Sequence, residues 1–85
     1  MRVHGRKEAA MTADDKTQLK QLGNNIRALR KARNYSQEGF ADAVGLHRTY
    51  MGGVERGERN ISFLNLLKIL KKLEVTPDEI FADIA

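Results

Sequence analysis

Arg48, Thr49 and Arg56 fall on one side of a helical wheel drawn at about 100° per residue through residues 47–56, "HRTYMGGVER". Their shared chemistry is hydrogen-bond donation to base edges or phosphates. An arginine fork can donate twice to guanine O6 and N7, worth about 1–3 kcal/mol of discrimination. Thr49 offers a hydroxyl to phosphate and a methyl to thymine. Gly52 and Gly53 share the outward face and Tyr50 lies on its flank, while His47, Met51 and Val54 point inward and Glu55 sits at the edge. Two interior glycines each cost a helix about 1 kcal/mol relative to alanine. On an outward face they make sense where backbone must press close to a groove. Competing chemistries are missing. The chain has no cysteine, two histidines far apart (His4 and His47), no paired-carboxylate or Cys/His nucleophile set, and in "GGVERG" neither the spacing nor the lysine of a phosphate loop. The expectation is a protein that is not an enzyme, with no cofactor, no metal site and no evident small-molecule ligand.

A face of this kind needs a helix pinned from behind. "LKQLGNNIRALRKARN" places Leu19, Leu22, Ile26, Leu29 and Ala32 on one stripe, a first helix of roughly four turns. Ser36 caps a short second helix, "SQEGFADAV", which Gly45 stops. His47 through Arg56 forms the third, ended by Gly57, with His47 as a cap or packing residue. Ser62 caps a fourth, "FLNLLKILKKLE", whose Leu66, Leu67, Ile69 and Leu70 are core or dimer contact. "TPDE" combines cap, proline and acid to open a fifth at residue 76. No strand pattern survives, so the fold class is all-α with five helices. Residues 1–15 read as a flexible arm, with Met11 an alternative start, and residues 16–85 as one domain.

Composition narrows the partners. At 85 residues and 41 % hydrophobic, with 6 % aromatics, the core is small and aliphatic, and dimerisation would help it. Net charge is +4 and unevenly spread. From Lys16 to Gln37 there are six bases and no acid, and beyond Lys72 there are four acids and no base. A basic front and an acidic tail suit a polyanion on one face and another partner elsewhere. No apolar run approaches a membrane span and the N-terminus lacks a signal-peptide stretch, which places the chain in the cytoplasm.

The spacing of the middle helices is more specific. Counting Gln37 as first, Phe40 is fourth, Ala41 fifth, Val44 eighth, Gly45 ninth, Leu46 tenth, Met51 fifteenth and Val54 eighteenth. Small Ala41 permits close helix approach and Gly45 accepts the positive φ of the turn, which is the helix-turn-helix pattern. Around it, "IRALRKARNYSQEGFADAVGLHRTYMGGVERGERNISFLNLLKIL" resembles the lambda-repressor-like, Xre-type helix-turn-helix domain. "LHRTYMGGVERGERNIS" is most similar to controller proteins of restriction–modification systems.

The likeness runs from about Leu19 to Phe81 and implies roles for matching positions. Gln37 would contact phosphate and brace the reading side chains. Arg48, Thr49 and Tyr50 would contact bases and backbone. Gly53 stands where many relatives carry a base-reading side chain, which shifts the load to Arg48 and Thr49. Arg56, Arg59 and Asn60 would hold phosphate, and Arg30 with Glu55 would form a partly buried structural ion pair. The C-terminal helix would form a homodimer interface around Val75, Ile80, Phe81 and Ile84. Gly39 departs from the family pattern.

The resemblance implies a homodimeric, sequence-specific regulator of transcription on a pseudo-palindromic operator in double-stranded DNA. RNA polymerase is a further partner, with activation at low occupancy and repression at high. A phage-type repressor, an antitoxin, or a protein-interaction module reusing the fold stand as alternatives.

Overall fold

The computed structural model describes residues 10–84, which form five helices and no strand. They are α1 (Ala13–Ala32), α2 (Gln37–Val44), α3 (Arg48–Glu55), α4 (Phe63–Leu73) and α5 (Pro77–Ile80). Local chemistry sets their starts. Ser36, His47, Ser62 and Thr76 are the N-caps of α2 to α5, each in extended backbone with its side chain accepting an N–H from the first turn. Thr76 and Glu79 make the reciprocal capping box, with Pro77 at the first helical position.

The first helix starts earlier than its apolar stripe implies. Thr12 and Asp15 form a second capping box, so Ala13, Asp14 and Asp15 are helical rather than part of an arm. The rest of the expected arm, residues 1–9, lies outside the described residues. At the other end Ala32 is exposed, although Arg30 in the same turn is buried and Leu29 packs against the core.

Four helices end in the same way. A residue at positive φ turns the chain, and the N–H of the residue after it reaches back to the carbonyl five residues earlier. At Gly45 (φ 81°) Leu46 N–H donates to Ala41 O at 2.9 Å. At Gly57 (φ 75°) Glu58 N–H donates to Gly53 O at 2.8 Å. Asn34 and Glu74 do the same for α1 and α4 with φ of 63° and 58°. Gly57 is required twice over, since a Cβ there would also lie 2.7 Å from the Lys20 backbone.

Ile26, Phe40, Met51, Ile69, Leu73 and Ile80 are fully buried, one or more from every helix, and α3 packs chiefly against α1 and α2. Ala41 is also fully buried, where the two helices of the turn come together. No helix among the described residues is long and apolar enough to cross a membrane.

Candidate nucleic-acid interface

The outward face of α3 is built on a buried polar chain through three helices. Arg30 of α1 meets Glu55 of α3 in a two-pronged pair, with Nε donating to Oε2 at 2.7 Å and Nη2 to Oε1 at 3.0 Å. Their side chains are only 7 % and 3 % exposed, so each charge depends on the other for compensation. Arg30 Nη1 also donates to Tyr35 O at 2.8 Å, which fixes the link from α1 to α2. Gln37, the first residue of α2, donates from Nε2 to Glu55 Oε1 at 3.0 Å. The head of α2 is thereby locked to the C-terminal end of α3, a preorganisation that a reading surface needs.

Above this chain, Gln37, Glu38, Arg48, Thr49, Gly52 and Arg56 line one open cleft. Its base-facing candidates stand free of the core. His47 is not inward as the wheel implied: it is exposed, because its ring turns back as the cap and Nδ1 accepts the Thr49 N–H at 3.1 Å. Arg48 Nη1 lies 2.9 Å from Glu38 Oε2, both side chains 64 % exposed. Exposed pairs of this kind contribute about 0–1 kcal/mol, so a guanine or phosphate can take Arg48 at small cost. Glu38 was not singled out by the sequence. Its signal was its place beside Gln37 in the first turn of α2, within reach of the head of α3. Arg56 is likewise exposed and pairs with Glu58 at 3.1 Å.

The tandem glycines are not on open solvent. Both are buried, although neither faces the apolar core. A Cβ at Gly52 would lie 3.1 Å from Arg56 Nη1 and 3.3 Å from Gln37 Oε1. One at Gly53 would lie 2.7 Å from Arg59 Cγ. Long polar side chains from α2 and from beyond α3 are laid across the bare backbone, and the missing methyl groups give them room. Arg59 then places its guanidinium 5.7 Å from the centroid of the Tyr50 ring, a cation–π contact. Arg59 thus lies across the recognition helix and joins Gly53 and Tyr50 on its flank. Asn65 Nδ2 donates to Tyr50 Oη at 3.3 Å and holds the ring from the other side.

Two expected positions lie away from this face. Asn60 is exposed and borders a groove with Leu19, Phe81 and Ile84. Ile80 is fully buried in the protomer's own core, fastened there by Asn25 Nδ2, which donates to Ile80 O at 2.9 Å and Ala82 O at 2.8 Å. It has no surface left for a dimer contact, whereas Val75 and Ile84 are half-buried and Phe81 is exposed. Among the described residues no group of three or more His, Cys, Asp or Glu side chains is placed to hold a metal ion.

A short helix presenting arginine and threonine from its head, locked against the first turn of the helix before it, is the reading unit of a helix-turn-helix DNA-binding domain. Residues 26–80 match the family model HTH_3, helix-turn-helix, and the chain belongs to that family. It is 45 % identical over 64 residues to the control protein C.MunI of a Mycoplasma species, covering 74 % of this chain and 86 % of that one. The fold superposes on the restriction-modification controller protein C.AhdI from Aeromonas hydrophila with a TM-score of 0.73 at 46 % identity, covering 76 % of this chain and 98 % of the other. The controller protein C.Esp1396I, solved as a tetramer with its natural 35 base-pair operator, matches with a TM-score of 0.67 at 34 % identity over 75 % of this chain and 84 % of that one.

Proposed function

We propose that this chain is a DNA-binding regulator of transcription of the restriction–modification controller type, acting as a homodimer on a two-fold operator. The observation that carries the reading is the face of α3: Arg48 and Thr49 are exposed at its head, above a helix fixed by the Arg30–Glu55–Gln37 chain. Each recognition helix would enter a major groove, with half-sites about 34 Å apart. Arg48 reads guanine, Thr49 meets thymine or phosphate, and Arg56 sets register on the backbone. Bound at a promoter, the dimer excludes RNA polymerase or contacts it, according to where the site lies. Arg59 lies across Gly53, where it can share the reading with Arg48.

The test is selection from randomised duplex DNA at several salt concentrations. A two-fold-symmetric site should emerge. Arg48→Ala should bind that site roughly 10- to 100-fold more weakly and relax the preference at one base pair per half-site, leaving non-specific binding nearly unchanged. Weak, steeply salt-dependent binding with no selected site would defeat the reading and leave the basic face generic.

Gly53→Ala makes a second test, because its two effects oppose each other. Alanine favours the helix by about 1 kcal/mol, but a Cβ 2.7 Å from Arg59 Cγ forces the stem of that side chain to move, so the melting temperature should change little. The new methyl would displace Arg59 from its place over α3, and specific affinity should fall by roughly tenfold. Unchanged affinity would mean that the position of Arg59 is irrelevant to recognition.

A further inference from the structure

The capping box at Thr12 and Asp15 makes Lys16 helical, one turn before Lys20 on the same face of α1. Both lysines are exposed, and they line an open cleft with Met11, Arg56, Gly57 and Glu58. Arg56 also lines the recognition cleft beside Arg48 and Thr49, so the two clefts meet over one arginine. The lysine cleft carries three cations and one carboxylate, and that carboxylate, Glu58, is held by Arg56 at 3.1 Å. Among the described residues neither lysine makes an ion pair. Like charges one turn apart disfavour a helix by about 0.2–0.5 kcal/mol, and a shared anion would relieve that repulsion.

We propose that Lys16 and Lys20 bind DNA phosphate, extending the interface from α3 onto the first half of α1. The inference rests on the DNA-binding reading above and adds two contacts outside the helix-turn-helix. The docking of α1 supports it. A Cβ on Gly57 would lie 2.7 Å from N, Cα and Cγ of Lys20, so the stem of Lys20 lies directly over the turn that ends α3. On α1 itself, a Cβ at Gly23 would lie 2.5 Å from Val54 O and 2.8 Å from the carbonyl carbon of Glu55. Bare backbone at these two glycines brings α1 against the end of α3 at neighbouring points. Lys20 therefore takes its position from the same helix that presents Arg48.

The side-chain type fits the task. An ammonium on a flexible stem attracts phosphate as a point charge, whatever the base beside it. Such contacts strengthen binding and fix orientation without adding sequence preference. An acidic protein segment is a rival anion. Continuity with Arg56 and the recognition cleft favours the backbone of the duplex already being read.

The experiment titrates the operator recovered by the selection above with Lys16→Gln, Lys20→Gln and the double variant, each in the full chain, at salt from about 50 to 200 mM. The slope of log affinity against log salt should become shallower by about one for each lysine removed, and by about two in the double variant. At the low-salt end the double variant should bind roughly tenfold or more weakly, equally on operator and random duplex, with the base preferences intact. Lys68→Gln with Lys72→Gln is the control, because those lysines are one turn apart on α4 and border a different cleft with Ala43 and Val44. A slope that falls as far in this control would assign the effect to net charge and overturn the inference. An unchanged slope in the Lys16 and Lys20 double variant overturns it directly. If that slope holds while the melting temperature drops, Lys20 serves the carbonyl end of α3 as a structural cap, and the proposal fails. Unaltered DNA binding with transcriptional activation lost would give the cleft to an acidic protein, again overturning it. Wild-type protein that selects no site at all would sink the regulator reading itself.

Discussion

Glu55→Ala should destabilise the domain by about 3–5 kcal/mol, the usual consequence of stripping one partner from a buried ion pair. Arg30 would keep its bond to Tyr35 O but would lose both carboxylate contacts, leaving a guanidinium that is 7 % exposed without a counter-charge. A domain of this size has roughly 4–13 kcal/mol of stability in all. At about 4–8 °C per kcal/mol, the melting temperature followed by circular dichroism should fall by at least about 12 °C. A fall of only a few degrees would show that water reaches the pair and screens it.

A companion variant separates stability from recognition. Arg30→Met combined with Glu55→Leu replaces the pair by apolar volume, a change that is often neutral or stabilising. The double variant should therefore melt near the wild type. Gln37 would still lose its 3.0 Å bond to Glu55, and with it the tie between the head of α2 and the end of α3. Operator affinity should stay reduced although the fold recovers. Full recovery of both would mean that the polar chain supports the fold and has no separate part in positioning the reading side chains.

The parts of this architecture that were legible in the sequence are those decided by short-range chemistry. Ser36, Ser62 and Thr76 cap helices because a side-chain oxygen three residues before a free N–H can satisfy it whatever the tertiary context. Gly45 and Gly57 end helices because positive φ is easiest for glycine. Glu74 adopts the same left-handed cap without glycine's freedom, stabilised by the return of Val75 N–H to Leu70 O at 3.2 Å, and composition gives no sign of it. The capping box at Thr12 and Asp15 was present in the letters but was hidden by the polar run around it.

What remained illegible was decided between elements. A wheel places Gly52 and Gly53 outward correctly with respect to the core, but it cannot show Gln37, Arg56 and Arg59 crossing over them. Ile80 matched a dimer position by likeness, yet α5 turns it inward and Asn25 holds it there. Gly39 is another such case: a Cβ there would lie 2.9 Å from Ser36 Oγ, the atom that caps α2 by accepting the Gly39 N–H, so a side chain would crowd the cap.

Gly23 is the sharpest case, and it carries the other large expected effect. In the middle of a 20-residue helix, replacing it by alanine should stabilise by about 1 kcal/mol on propensity alone. Packing reverses the sign. A Cβ at Gly23 would lie 2.5 Å from Val54 O and 2.8 Å from the carbonyl carbon of Glu55, and would overlap the Glu55 carbonyl oxygen. These are backbone atoms at the end of α3, not side-chain tips that can rotate aside. The helices must part, and overpacking of this kind costs about 1–3 kcal/mol. The displaced segment carries Glu55, so the 2.7 Å bond to Arg30 and the brace on Gln37 are disturbed together. Gly23→Ala should lower the melting temperature and also weaken operator binding, although residue 23 lies on α1, outside the cleft lined by Arg48, Thr49 and Arg56. A variant that melts above the wild type would show that α1 and α3 can separate freely. The close crossing at Gly23 would then not be what sets the pose of the recognition helix.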